Sequence, residues 1–435
     1  MAYVTQDRKG DELNRPYEED LPVHRWYRFV LSYPPHLVRR YVKRFRLRAG
    51  DCVLDPFCGT GTTLVECKKL GLPSIGVEAN PVVAFAARTK TNWDVDPDGL
   101  DAYAQQVGSA TEEHLEAEGI KDLPLLRNPA PSDLQYRTLD EERQRLLIKD
   151  SISERPLHKV LVLLEHIEDH QEGPYDSYGR LALAKELVNS IGNLRFGPEV
   201  GVGGIKEDAP VVHAWRHAVR GMADDLRLAR EIDDAPATVI RGDAREICNL
   251  VKEGAVEAVI TSPPYPNEKD YSRTTRLESV LLGFMKSRKD LRKHKKEFVR
   301  SNTRGVYVAD TDDRWVQDFP RVQELADHIE QKRAELGKTS GFEKLYHRVV
   351  RLYFGGMVRH LESLKPLLRP GAQLAYVVGD QASYFRVLIE TGEILACIAQ
   401  QLGYTVNDVE LFRTRFSTTT KSDLKEEVVL LEWDP

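Results

Sequence analysis

At 435 residues, with 41% hydrophobic and 30% charged side chains, the chain has a soluble globular composition and length enough for two or three domains without covalent staples. A net charge of −6 does not announce a nucleic-acid binder, although a local basic face is compatible with it. Five cysteines, three of them (Cys52, Cys58, Cys67) in or beside one strand–turn–helix, read as reduced thiols of a cytoplasmic protein. No Cys/His cluster has zinc spacing, so no metal is expected. No apolar run reaches transmembrane length, and the N-terminus lacks the apolar core of a signal peptide, so no membrane is expected either.

In chain order, residues 1–20 read as a mobile polar arm. Residues 21–97 open with "LPVHRWYRFVLSYPPHLVRRYVKRF", which carries an aromatic cluster, a turn at Pro34 and Pro35 and a short basic helix; "HRWYRF" (His24 to Phe29) reads as core packing and gating. "DCVLDPFCGTGTTLVECKKLGL" is strand, glycine turn and helix; "PSIGVEANPVVAFAARTKTNW" is strand, acidic tip and helix. Two such units in series predict an α/β fold with a doubly wound, mostly parallel sheet. Residues 98–235 break the alternation. Apolar residues recur there at three- and four-residue steps, which predicts a mostly helical insertion with a loop at "RFGPEVGVGGIKEDAP". Residues 236–435 resume the sheet with "ATVIRGDA" and "AVEAVITSPPY". A charged helical stretch at about 285–345 follows, then "AQLAYVVGD", "YTVNDVELFRT" and "EEVVLLEW". Seven strands result, the last two as an antiparallel pair.

Three strand tips carry candidate chemistry. In "VLDPFCGTGTT", Asp55 ends a strand, Gly59 and Gly61 permit a tight turn, and Thr62 opens a helix whose free N–H groups favour a negative group. The spacing is neither the dinucleotide fingerprint nor a phosphate loop. Glu78, 17 residues beyond Gly61, suits ribose hydroxyls or an N-cap equally well. Asp243 in "RGDA" suits an adenine amine or a turn. A fourth tip, Ser262-Pro263-Pro264-Tyr265, ends a buried strand in prolines, which cannot continue it.

Taken together, "YPPHLVRRYV", "DPFCGTGTT", "GVEANP", "RGDA" and "TSPPY" resemble the S-adenosylmethionine-dependent DNA methyltransferases that methylate exocyclic amines. The resemblance covers roughly residues 24–97 and 236–284. It implies a Rossmann-like methyltransferase sheet and S-adenosyl-L-methionine as cofactor. Phe57, Gly59, Gly61 and Thr62 would lie around the methionine part and Asp55 near its ammonium. Glu78 would meet the ribose, and Asp243 with Ala244 the adenine. Ser262, Pro263, Pro264 and Tyr265 would be catalytic. An exocyclic amine is a poor nucleophile, and acceptors at Ser262 and Pro263 would localise its lone pair. Tyr265 would stack on a base extruded from duplex DNA. Serine at the first position is typical of cytosine-N4 enzymes in this family; aspartate or asparagine is typical of adenine-N6 enzymes. An adenine-N6 enzyme, an RNA base methyltransferase and a non-catalytic recognition subunit are the alternatives. The intact tetrapeptide argues against the last.

Two segments compete for DNA contact: the helical insertion and the basic run Lys286 to Arg304. That run holds nine Lys or Arg against two acids, and it names Lys286, Arg288, Lys289, Arg292, Lys293, Lys295, Lys296 and Arg300 as phosphate contacts. The motif order and the insertion between the second and third strands depart from many Ser-Pro-Pro-Tyr enzymes. A homodimer, or a partner protein of a restriction or defence system, is left open.

Overall fold

The computed structural model describes residues 13–27, 32–122, 134–170, 173–196, 199–232, 235–417 and 420–435. Among the described residues nine strands form: β1 (Val53–Asp55), β2 (Ser74–Glu78), β3 (Leu194–Phe196), β4 (Val200–Val202), β5 (Ala237–Arg241), β6 (Val256–Thr261), β7 (Leu368–Gly379), β8 (Thr405–Ser417) and β9 (Ser422–Trp433). Seven make one sheet in the order β5-β2-β1-β6-β7-β9-β8. β5, β2, β1, β6 and β7 are parallel; β9 pairs antiparallel with both β7 and β8. These are the seven strands expected from the sequence, including the terminal antiparallel pair.

Both faces of the sheet are covered, which is why its central strands read as mostly apolar runs. Leu54, Val259, Leu374 and Val429 face a cluster with Tyr353, Met357 and Leu361 of the helix Tyr346–Leu364. Val53, Ile260, Ala375 and Val428 face Leu37, Val38 and Tyr41 of the helix Pro35–Arg44. Leu54 is 0% exposed, so its truncation to alanine would cost roughly 2–5 kcal/mol. The chain leaves β1 toward β2 on one side and returns as β6 on the other. The crevice at that reversal, outside the carboxyl ends of the strands, is where open α/β sheets bind ligands.

The segment between β2 and β5 contains the helices Pro97–Ala117, Glu141–Leu146, Glu154–Asp169, Tyr175–Glu186 and Val211–Ala229. They share one core with Val82, Val83 and Ala86 after β2 and with Leu277, Val280 and Leu281 after the Pro-Pro loop. Fully buried Asp225 accepts hydrogen bonds from the Val23 N–H (3.0 Å), Trp26 Nε1 (2.8 Å) and Arg25, and so ties the N-terminal segment to this layer. His24 pairs with Glu66 at 2.9 Å and the Tyr27 hydroxyl donates to Glu278 at 2.6 Å. The described part of "HRWYRF" is therefore core packing; residues 28–31 lie outside the described residues. No helix among the described residues is long and apolar enough to cross a membrane.

Two expectations need correction. The polar arm does not extend to residue 20. Glu18–Asp20 form a 3-10 helix, and Asp20 is buried against Arg39 at 2.8 Å, because a buried carboxylate requires such a partner. Residues 1–12 lie outside the described residues. The loop "RFGPEVGVGGIKEDAP" instead takes part in an antiparallel ribbon, β3 against β4, in which Phe196, Val200 and Val202 supply β-formers.

Candidate active site

The tip of β1 is held from below. Asp55, 0% exposed, accepts from Thr261 Oγ1 (2.6 Å), Thr63 Oγ1 (2.7 Å), the Tyr33 hydroxyl (3.0 Å) and the Phe57 N–H (3.1 Å). Burial raises its pKa, opposed by those donors. The carboxyl thus couples the glycine turn to the end of β6. Above it Gly59 (φ +51°) and Gly61 (φ +84°) take left-handed conformations that a Cβ would strain. Gly61 is also the N-cap of the helix Thr62–Lys69, and a Cβ there would come within 3.3 Å of the Ala87 Cβ.

Glu78 ends β2. Its two oxygens accept from the Gly59 N–H (3.0 Å) and the Asn80 N–H (2.7 Å), so it clasps the glycine turn. Burial pushes its carboxyl up to about 7, against the pull of those N–H groups. Asp243 follows β5 as the N-cap of a 3-10 turn and accepts from the Arg245 N–H (2.9 Å) and guanidinium (2.6 Å). Its turn role is therefore present in the structure. The Ala244 carbonyl meets His360 Nδ1 at 2.9 Å, and His360 Nε2 meets the Tyr376 hydroxyl at 2.8 Å. The His360 ring packs edge-on to Phe57, centroids 4.9 Å apart. Burial lowers the His360 pKa to about 4, so the ring is neutral. With Nδ1 donating and Nε2 accepting, one histidine joins Phe57, the β5 tip and β7.

The Ser-Pro-Pro-Tyr segment leaves β6 across the same crevice. The Ser262 hydroxyl donates to the Val377 carbonyl at 3.0 Å, which commits its proton, and it also neighbours the Tyr265 hydroxyl, so that it remains an acceptor. The Tyr265 ring lies over Gly379, where a Cβ would come within 2.9 Å of Tyr265 Cε2. Phe57, Gly59, Thr62, Glu78, Asp243, Ala244, Ser262, Pro263, Pro264 and Tyr265 all line one cavity of about 790 Å³. That volume falls within the roughly 300–1,000 Å³ of small-molecule sites. Asp55 and Gly61 do not line it; they build its floor and its turn.

The basic run divides. The helix Arg288–Glu297 starts with a capping box between Ser287 and Asp290. Lys286, Arg288, Lys289, Arg292, Lys293 and Lys296 are exposed. Lys295 and Arg300 are not free phosphate contacts. Lys295 Nζ binds Asp270 at 2.7 Å, and Arg300, 3% exposed, binds Asp310 at 2.8 Å and the Lys295 carbonyl at 2.7 Å. Facing inward, each is held by a carboxylate.

Sequence reasoning overlooked Tyr33, Thr261, Arg245, Lys269 and His360. Tyr33 stands directly before Pro34, and Thr261 falls inside a quoted motif, so their signal was position. Arg245, two residues from Asp243, and Lys269, four from Tyr265, had the same signal. His360, inside a long helix, had none.

The donors and acceptors fit an adenosine-bearing sulfonium. A carboxylate stands at each of two neighbouring strand tips, a glycine turn leaves backbone within reach, and aromatic and proline side chains complete the wall of the cavity. The sheet is a doubly wound α/β sheet with a ligand-sized cavity at its topological switch point. A family model described as DNA methylase matches residues 4–87. The type II methyltransferase M.BsoBI of Geobacillus stearothermophilus is 23% identical over 88% of this chain and 78% of its own length. The type II methyltransferase M.AvaI of Nostoc sp. is 20% identical over 90% and 81%. A tRNA (guanine(10)-N2)-dimethyltransferase of Methanothermobacter thermautotrophicus is 28% identical over 29% of each chain. The chain is thus similar to DNA methyltransferases, over most of its length at 20–23% identity. It is a methyltransferase.

Proposed function

We propose that the chain transfers a methyl group from S-adenosyl-L-methionine to the exocyclic N4 amine of a cytosine flipped out of duplex DNA. The observation that carries this reading is the Ser262 hydroxyl, whose proton is committed to Val377 at 3.0 Å, so that it faces the cavity as a neutral acceptor. An amine placed there donates one N–H to Ser262 and the other to the Pro263 carbonyl, which draws the nitrogen toward tetrahedral geometry and frees its lone pair. The proline ring of Pro264 offers no competing N–H. Tyr265, its ring backed by Gly379, stacks on the extruded base. The cofactor, when bound, supplies an electrophilic methyl on a sulfonium. Glu78 would hold the ribose hydroxyls, and Asp243 with Ala244 the adenine edge. The amine nitrogen forms its new N–C bond by in-line displacement, a step governed by positioning, and its surplus proton leaves to water.

Duplex DNA is favoured over RNA because the type II relatives align with 88% and 90% of the chain, whereas the tRNA enzyme aligns with 29%. The exposed cations Lys286, Arg288, Lys289, Arg292, Lys293 and Lys296, downstream of the active-site loop, would contact phosphates. Expression in a host without DNA methylation, followed by modification-sensitive sequencing, tests the reading. 4-Methylcytosine at one short recurring sequence supports it, and unmodified host DNA from cells holding folded protein contradicts it.

A further inference from the structure

We propose that Lys269 reads the target ring: its ammonium donates a hydrogen bond to the O2 carbonyl of the extruded cytosine and so selects cytosine against adenine. This inference rests on the cytosine reading above and adds a specificity residue to it.

Lys269 lines the catalytic cavity together with Ser262, Pro263, Pro264 and Tyr265. Its backbone is fixed on both sides. The Lys269 N–H donates to the Asn267 side-chain oxygen at 3.2 Å, and its carbonyl accepts from Asn302 Nδ2 at 3.0 Å. The neighbouring side chains are committed elsewhere. Glu268 accepts from the Thr303 hydroxyl at 2.7 Å, and Asp270 holds Lys295 at 2.7 Å and the Ser272 hydroxyl at 2.6 Å. The Lys269 ammonium alone engages no hydrogen bond or ion pair among the described residues. The charges that face it are Arg415 and Glu426. Glu426 is already held by Arg413 at 2.6 Å, and Arg415 donates to the Asp380 carbonyl at 2.8 Å.

A half-buried ammonium without an acceptor is costly, and here burial and Arg415 both lower its pKa. An acceptor carried by the ligand removes that cost. The two candidate bases differ in what they bring. Beside its amine, cytosine presents two acceptors, N3 and then O2. Adenine presents one acceptor, N1, and then a C–H. A donor set two positions from the amine meets an oxygen in cytosine and nothing in adenine. Discrimination of this kind is strong, because the wrong base leaves a buried polar group unpaired. Ser262 and the Pro263 carbonyl accept at one end of the ring's pairing edge, and Lys269 donates at the other.

The test is a double-substitution cycle on a duplex carrying the chain's own methylation site. The target is cytosine or 2-thiocytosine, whose sulfur is a poor acceptor, and the enzyme is wild type or Lys269→Met. In single turnovers, each change alone should slow methyl transfer at least tenfold, and both together should slow it no further than either. S-adenosylmethionine affinity, measured on the same variant, should be unchanged, which also shows that it folds. Losses that multiply would overturn the proposal, as would weaker cofactor binding by the variant, which would assign the ammonium to the cofactor. A shallower salt dependence with unaltered response to the thio base would assign it to a phosphate and equally overturn it. Wild-type transfer to adenine alone would instead defeat the cytosine reading.

Discussion

Lowering the pH from 8 to 6 should weaken S-adenosylmethionine binding about tenfold, and Glu78 should be the cause. Burial sets its carboxyl at about 7 in the free protein. Only the ionised form offers both oxygens to ribose hydroxyls while still holding the Gly59 and Asn80 N–H groups at 3.0 and 2.7 Å. An acid of that pKa is about nine-tenths ionised at pH 8 and about one-tenth at pH 6, so the competent fraction falls about tenfold, or about 1.4 kcal/mol. The effect on folding has the opposite sign. A carboxyl whose folded pKa is raised above its unfolded 4.5 destabilises the free protein as pH climbs from about 4.5 through 7. At pH 6 this group therefore makes the free protein more stable than at pH 8, and lost affinity cannot be blamed on it through unfolding. Titration calorimetry in two buffers of different ionisation enthalpy should show about half a proton released per cofactor bound at pH 7. Glu78→Gln should bind more weakly at pH 8, by about 1.5–3 kcal/mol for a lost charge-assisted hydrogen bond, and without pH dependence. A wild-type affinity that is flat from pH 6 to 8 would show that the charge of Glu78 does not govern cofactor binding.

Tyr265→Ala should weaken binding of duplex DNA by about 1–3 kcal/mol, the worth of one base–aromatic stack, with cofactor affinity unchanged; fluorescence anisotropy checks the first and calorimetry the second. Ser262→Ala should slow single-turnover transfer on the order of tenfold, for one lost acceptor, while both ligands still bind. Replacing exposed Arg288, Lys289, Arg292 and Lys293 by glutamine should weaken binding to all sequences alike and flatten the salt slope by roughly one unit per lost contact. Arg300→Ala should instead lower stability by about 3–5 kcal/mol in denaturant titrations, because Asp310 loses the cation that binds it at 2.8 Å.

The sheet was legible because burial on both faces leaves mostly apolar runs such as Val256–Thr261, interrupted only at Glu257, and because turn residues follow each run and mark its tip. The strand-tip groups were legible for the same reason: Glu78, Asp243 and Ser262 follow those runs directly. Partnerships across the chain were not. Nothing local tells Lys295 and Arg300 apart from Lys293 and Lys296. What separates them is Asp270, 25 residues from Lys295, and Asp310, 10 residues from Arg300, and only the fold brings each pair together. Asp55 shows the same limit. Its place at the end of β1 suggests a ligand, yet Thr261, 206 residues on, and Tyr33 fill its coordination and make it the floor of the site. The β3–β4 ribbon was hidden because glycines at 201, 203 and 204 dilute the β-forming signal.

Duplex DNA containing the methylation site is incubated with the protein and methyl-labelled S-adenosylmethionine, then digested to nucleosides and analysed by mass spectrometry. Label in 4-methylcytosine, accumulating about tenfold more slowly with Ser262→Ala, is the result predicted here. Label found only in 6-methyladenine, or no label in DNA and label in RNA under the same conditions, would contradict it.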